Sequence, residues 1–232
     1  MAPHPPVANQ PEALPDVPLS WHELAPYFAL IPGLDAAKTA QLQQLANLVT
    51  LWNDRVNVIS RKDIQHLPER HVLYSLAIAR HIQFAPGTTV LDLGTGGGFP
   101  GMPLAVCFPQ VQFTLLDSTQ KKLRVIQEIA AELGLANVNT VWQRAEEHAP
   151  QYDFVTGRAV ADLRDFFPLA IKRVHCRGRN ALPNGILYLK GGELDPELQG
   201  IRVKKTVVHK LSDWLPGAYF QTKQLVYLSN CG

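Results

Sequence analysis

The chain of 232 residues is short of several things, and each shortage excludes a class of protein. Its three cysteines, Cys107, Cys176 and Cys231, are odd in number and lack close pairing or metal-ligand spacing. That argues against a disulfide-rich secreted scaffold and a cysteine-based metal centre, and predicts reduced thiols in a cytosolic protein and no bound metal. No apolar run reaches the roughly 18 residues needed to cross a bilayer, and the N-terminus lacks the basic start and apolar centre of a signal peptide. A soluble, cytoplasmic chain with no membrane partner is the expectation. Excess charge is also scarce: 22 Lys and Arg against 20 Asp and Glu leave a net +2. A balance this even does not announce nucleic-acid binding, so any basic surface must come from local clusters.

Proline is what opens the chain. Pro3, Pro5, Pro6, Pro11, Pro15 and Pro18 fall in residues 1–19 with little to bury, which predicts an extended or disordered tail. Ser20 and Glu23 have capping-box spacing for a short helix ending before Pro32-Gly33. Leu42, Leu45, Val49, Trp52 and Val56 recur at steps of three and four, the apolar face of a long helix from about Asp35. A third helix is expected from Pro68 to His81, burying Leu73, Leu76 and Ile78. Residues 20–84 thus read as a helical cap, and residues 85–232 as the main domain.

From Thr88 the periodicity changes. Apolar strands at Val90–Leu93, Val111–Leu116, Val138–Trp142, Phe154–Val155 and Ile186–Leu189 alternate with amphipathic helices. One of these helices carries Leu123, Ile126, Ile129 and Leu133 on one face and stops at Gly134. Alternation of this kind means right-handed βαβ units and a parallel sheet. Val203–Val208 and Gln224–Leu228 follow with only a loop between them, which predicts an antiparallel pair at the sheet edge. The expected fold is α/β: a Rossmann-like methyltransferase sheet of seven strands, mostly parallel, beneath an N-terminal helical cap.

Function is written most densely at Val90 to Gly101, VLDLGTGGGFPG, an apolar strand entering a glycine-crowded turn. Glycine accepts positive φ and carries no Cβ, so the backbone N–H groups of such a turn can approach a ligand closely. Gly96, Gly98 and Gly101 also satisfy G-x-G-x-x-G, so spacing alone does not separate a dinucleotide from S-adenosylmethionine. Asp117 ends the second strand about twenty residues on, where an acid accepts hydrogen bonds from ribose hydroxyls of either cofactor. Asp92 would repel a diphosphate and welcome a methionine-derived amine and sulfonium, which favours S-adenosylmethionine; the alternative is that it simply holds loop N–H groups. Arg144-Ala145-Glu146-Glu147 follows the third strand, where backbone groups at Ala145 and Glu146 can read an adenine edge, unless the glutamates only start a solvated helix.

The segment after the fourth strand, Asp153 to Val160, lacks the Asn or Asp, prolines and aromatic expected of an enzyme that methylates exocyclic amines. No cysteine sits where a C5-directed thiolate would stand. Ring nitrogens remain. Guanine N7 has an in-plane lone pair and no proton to lose, so its methylation requires positioning rather than a base. Arg158, at the end of the fourth strand, is placed to hold a phosphate or carboxylate and is the leading catalytic candidate, against a structural ion pair with Asp92 or Asp153. Lys190 ends the fifth strand in a similar position. Asn53, Arg70 and His71 are candidates for the substrate side, with helix packing the alternative for His71. Lys172, Arg173, Arg177 and Arg179, then Arg202, Lys204 and Lys205, would supply phosphate affinity if they face the cleft.

Together Trp52-Asn53 with Asn57, Glu69-Arg70-His71 with Ser75, the GTGGGFPG loop, Leu115 to Ser118, Arg144 to Glu147, Gly157-Arg158-Ala159 and Leu189-Lys190-Gly191 resemble the bacterial small-subunit rRNA guanine-N7 methyltransferase family, RsmG, once called glucose-inhibited division protein B. The resemblance runs from about Trp52 to the C-terminus. It implies a Rossmann-like fold and methyl transfer from S-adenosylmethionine to N7 of one guanine in 16S rRNA. The implied partner is the free RNA, the 30S subunit or an assembly intermediate, met by a monomer. Implied cofactor contacts are Gly94, Phe99, Ala145, Glu146 and Arg158, beside Gly96, Gly98 and Asp117 from the loop and ribose arguments. The chain departs from the pattern at Tyr74, where an acid often precedes the serine. Competing readings are a non-enzymatic RNA-binding assembly factor with a degenerate Rossmann fold and an NAD-linked oxidoreductase.

Overall fold

A computed structural model of the chain describes residues 17–215 and 217–232. Most of the proline-rich segment, residues 1–16, lies outside the described residues, and Val17 to Leu19 carry no regular structure. Helix α1 (Trp21–Phe28) opens on the capping box: Ser20 Oγ accepts from the Glu23 N–H, and the Glu23 carboxylate accepts from the Ser20 N–H at 2.8 Å. Asp35 caps α2 (Ala36–Asn53), as its place before the apolar repeat predicts. The third helix is not uniform. Its first part, Leu67–Leu73, is wound in wide π-type turns before continuing as α3 (Tyr74–His81), and wide turns of this kind are frequent at functional sites.

Seven strands follow: β1 (Thr89–Leu93), β2 (Gln112–Asp117), β3 (Val138–Trp142), β4 (Phe154–Arg158), β5 (Gly185–Gly191), β6 (Lys205–Lys210) and β7 (Lys223–Ser229). They form one sheet in the order β3-β2-β1-β4-β5-β7-β6. Strands β1 to β5 pair in parallel, and β7 inserts antiparallel between β5 and β6. Helices α4 (Gly101–Cys107), α5 (Gln120–Glu132), α6 (Leu163–Ile171) and the short α7 (Asp195–Leu198) complete the fold.

Strand residues alternate between two cores, as the two-residue period of a strand requires. Val90, Phe113, Phe154 and Leu187 join the core shared with the N-terminal helices, including Leu24, Leu45 and Leu76. Leu91, Leu116, Val155 and Ile186 face the other core, with Leu163, Phe166 and Ala170 of α6. The N-terminal helices therefore roof one face of the sheet and share its core.

One expectation fails here. Cys176 and Cys231 are joined in a disulfide across 55 residues, and only Cys107 is free among the described cysteines. The topology makes the pair. Because β7 runs antiparallel beside β5, its end (Leu228 opposite Ile186) returns the C-terminus to the loop before β5, where Cys176 lies. Sequence spacing carries no trace of that return, and the cysteine argument for a reducing compartment falls with it. Cys107 stays buried, which pushes its thiol up to about 12 and leaves it inert.

Candidate active site

The order of the sheet fixes where a ligand can sit. Connections from β1 proceed toward β3 and those from β4 proceed toward β5, so the sheet reverses between β1 and β4 and leaves a crevice beyond their carboxyl ends. The glycine loop leaves β1 there, and Arg158 ends β4 beside it. Gly94 and Gly96 adopt φ of 72° and 58°, a region that costs residues with a Cβ. A Cβ on Gly94 would come within 2.9 Å of Val160, whereas the space beside Gly96 is open. The Gly94 and Thr95 N–H groups donate to Leu116 O at 2.9 Å, tying the turn to the end of β2.

Two carboxylates set the loop. Asp92 is fully buried beneath it and accepts from Thr95 Oγ1 at 2.6 Å, the Gly101 N–H at 2.9 Å and Thr156 Oγ1 at 3.2 Å. Burial raises its pKa to about 6 against these hydrogen bonds. It braces the loop from below, the role weighed as the alternative to choosing the cofactor by charge. Asp117 accepts from the Gly96 and Thr119 N–H groups at 2.9 and 2.8 Å. Its carboxylate stands at the wall of the crevice with acceptor capacity left for hydroxyls.

The crevice is a cavity of about 620 Å³. It gathers Gly94, Gly96, Phe99, Asp117, Ala145, Glu146, Arg158 and His71, all singled out in the sequence. An open glycine cradle, a carboxylate at the end of β2 and backbone groups after β3 suit an adenosyl cofactor such as S-adenosylmethionine. Arg158 Nη1 donates to Arg70 O at 3.0 Å and Nη2 to His71 Nδ1 at 2.8 Å. Its guanidinium lies over the rings of Phe99 and Tyr74, 5.4 and 5.9 Å from their centroids. No carboxylate pairs with it among the described residues, and neither Asp92 nor Asp153 forms the ion pair weighed as an alternative. Burial lowers the Arg158 pKa, while Tyr219 and Tyr74, ahead of Asp92, favour its charge. A half-buried cation supported by carbonyl, imidazole and ring faces suits an anionic group. Tyr74, where the family pattern often has an acid, donates its hydroxyl to Lys190 O at 3.1 Å.

His71 accepts from Arg158, so its imidazole is neutral. Burial first, then Arg158 and Arg70, lower its pKa from 6.5 to about 2. In the unfolded chain it takes up a proton below about 6.5 that the fold refuses, so its contribution to stability is present above pH 6.5 and drains away as pH falls. A melting-temperature series from pH 7 to 5 is expected to decline less steeply in His71→Gln than in wild type; equal slopes would contradict this assignment.

Other sequence candidates lie elsewhere. Asn53 ends α2 with its Oδ1 accepting from the Val58 and Ile59 N–H groups at 2.9 Å each; it shapes a cavity wall without reaching the cavity. Lys190 is closed into an ion pair with Glu197 at 2.6 Å. Arg70 stacks over Tyr219 and pairs with Asp63 at 3.5 Å, giving the cavity's arginine only its carbonyl. Gly98 packs against Met102 and does not line the cavity. Arg173 is buried, donating to His148 O (2.7 Å), Ala145 O (2.8 Å), Glu146 O (3.1 Å) and Leu169 O (3.2 Å); it fixes the turn after β3 and presents nothing to RNA. Lys172 ends α6, Arg179 Nη1 would lie 3.1 Å from a Cβ on Gly87 before β1, and Lys205 starts β6 opposite Ser229. These cations therefore gather at the amino ends of the parallel strands, away from the cleft. A strand's far end is invisible in a list of basic residues.

The cavity also holds residues the sequence did not mark: Val58, Ile59, Lys122, Gln143, Asp165, Phe166 and Leu169. Ala159 is the only non-glycine among the described residues with positive φ, 51°. Strain at the turn after Arg158 marks the site, but no residue type signals it. No group of three or more His, Cys, Asp or Glu residues is placed to hold a metal among the described residues, and no helix there is long and apolar enough to cross a membrane.

Comparison with known proteins agrees with this geometry. The fold resembles that of a mutant of MtNAS in complex with S-adenosylmethionine (TM-score 0.53, 15% identity, covering 91% of this chain and 79% of that one). It also resembles a SAM-dependent O-methyltransferase from Thermotoga maritima (TM-score 0.54, 12% identity, 79% and 72% covered). These show the fold. Sequence relatives go further: proteins named ribosomal RNA small subunit methyltransferase G are 49% identical in Bacteroides thetaiotaomicron (84% of this chain, 95% of that one) and 46% in Porphyromonas gingivalis (94% and 99%). The family model described as GidB, rRNA small subunit methyltransferase G, matches residues 38–213. The chain belongs to the GidB family of rRNA small subunit methyltransferases G, enzymes that use S-adenosylmethionine.

Proposed function

We propose that the protein methylates N7 of a guanine in 16S rRNA, and that the single observation carrying this assignment to the crevice is the convergence of the glycine loop, Asp117, Ala145–Glu146 and Arg158 on one cavity. S-adenosylmethionine supplies an electrophilic methyl group on a sulfonium. The open surface of the Gly94–Gly97 loop would seat it, Asp117 would accept ribose hydroxyls, and the Ala145–Glu146 backbone would read the adenine edge. Arg158, held by Arg70 O and His71 Nδ1, binds the cofactor carboxylate or a substrate phosphate and fixes the approach. The N7 lone pair would take the methyl group as the S–CH3 bond breaks, releasing neutral S-adenosylhomocysteine and leaving the positive charge on the purine ring. No proton leaves N7, so neutral His71 serves as a hydrogen-bond partner to Arg158 rather than as a base. Residues 20–84 act as a cap over the domain at 85–232, and the chain works as a monomer.

The test incubates the protein with methyl-labelled cofactor and, separately, 30S subunits, free 16S rRNA and an assembly intermediate. Label on one 16S guanine, recovered as 7-methylguanosine, is the expected result. Label on another base, on protein or on a small molecule overturns the reading.

A further inference from the structure

Trp142 ends β3 with 62% of its surface exposed, the only aromatic residue so exposed among the described residues. An indole left in water forgoes the burial that usually places tryptophan inside. This one is not loose: its Nε1–H donates to Ser118 O at 3.0 Å, which fixes the ring. Beside it lies a second depression of about 440 Å³, lined by Ser118, Trp142, Gln143, Arg144 and Glu147. Ser118, Gln143 and Arg144 also line the main cavity, so the two are continuous. Lys122, in the first turn of α5, lines the main cavity next to Ser118.

We propose that this depression binds one unpaired nucleobase of the RNA substrate, stacked on Trp142, with its phosphate held by Arg144. The proposal rests on the rRNA reading above. Every base has a π-face, so an oriented, solvent-facing indole flanked by cations is the pattern that holds single-stranded nucleic acid. The Ser118 hydroxyl and the Glu147 carboxylate add a donor and acceptors at the base edge, and the carboxylate suits an exocyclic amine. The mouth of a cavity that must receive a base extracted from RNA is where a neighbouring nucleotide needs a seat. The cofactor's adenine is met by the backbone at Ala145 and Glu146, which leaves the indole face for the substrate.

Trp142→Ala and Trp142→Phe test it. In Trp142→Ala the KM for both 30S subunits and free 16S rRNA is expected to rise about tenfold, within the range that alanine replacement of a base-stacking aromatic gives. The kcat and the cofactor Kd stay at wild-type values, and Trp142→Phe recovers most of the loss. An unchanged RNA KM overturns the proposal. So does a cofactor Kd that rises by the same factor, which would place the indole against the adenine, or a KM that rises for 30S alone, which would mean a protein contact. Quenching of tryptophan fluorescence by a short single-stranded RNA, present in wild type and lost in Trp142→Phe, reads the same contact without turnover. A wild type that transfers no methyl to rRNA therefore defeats the functional reading, while the quenching arm still decides this one.

Discussion

Arg158→Ala is expected to lower methyl transfer to rRNA by about a hundredfold, with the fold retained. The magnitude follows from losing a partly buried, charge-assisted contact, at the lower end of the about 2–5 kcal/mol that truncating one partner of a buried charge pair costs. Stability changes far less. Arg158 has no carboxylate partner to strand, and burial already disfavours its charge, so removing it exposes only the Arg70 carbonyl and His71 Nδ1 to repair by water. Arg158→Lys should recover little, because an ammonium cannot span both acceptors and present a planar fork to an anion. Single-turnover transfer and circular dichroism of the purified variants check both halves. Wild-type turnover in Arg158→Ala would remove the residue from the site.

The second large effect belongs to a residue that never touches a ligand. Asp92→Ala strands Thr95 Oγ1 and the Gly101 N–H beneath the glycine loop, in a site with no solvent access, while Thr156 Oγ1 keeps Leu91 O as an acceptor at 3.4 Å. Unmet buried donors cost about 1–3 kcal/mol each, partly offset by relief of a buried carboxylate, so a net loss of about 2–4 kcal/mol is expected. Cofactor affinity should fall with it, as Gly101 starts α4 and its N–H is what the carboxylate anchors. Asp92→Asn keeps an acceptor for two of the three donors and should retain most of the stability. Their pH profiles separate charge from shape. Asp92 has its pKa raised from 3.8 to about 6, so the fold holds a proton there that the unfolded chain has released. Its stabilising contribution is full below about pH 4 and lost as pH rises to about 6. The sign is opposite to that of His71, and Asp92→Asn should abolish it. Chemical denaturation of the three proteins at pH 4.5 and 7 measures the difference; a wild type and Asp92→Asn that shift alike would show that the carboxylate is not the titrating group.

The cofactor side of the site was legible because its chemistry is backbone chemistry. Gly94, Gly96 and Asp117 stand where a strand ends and the next begins, and those ends are set by apolar runs that any reader of the chain can find. Asp92 taught a narrower lesson. It pointed to S-adenosylmethionine, the cofactor the family uses, while its carboxylate lies under the loop and acts on the cavity through the backbone it holds. The substrate side was read less well. Asn53, Lys190 and Arg173 carry groups that bind RNA elsewhere, but here they are consumed by loop N–H groups, Glu197 and four carbonyls. Trp142 looked like the last apolar residue of a strand, and only its position at an edge leaves the indole in water.

By itself the sequence determined the order of elements, the parallel sheet with its antiparallel end, the glycine cradle and, through the run of motifs, the family. These are local properties: periodicity, turn chemistry and spacing act within a few residues and survive without knowledge of neighbours. The tertiary structure alone decided the Cys176–Cys231 bond, the burial of Arg173, the retreat of the basic clusters to the far end of the sheet, and the support of Arg158 by Arg70 and His71 some 88 and 87 residues away. Each depends on which side chains meet across the fold, and no local pattern encodes a meeting between distant segments.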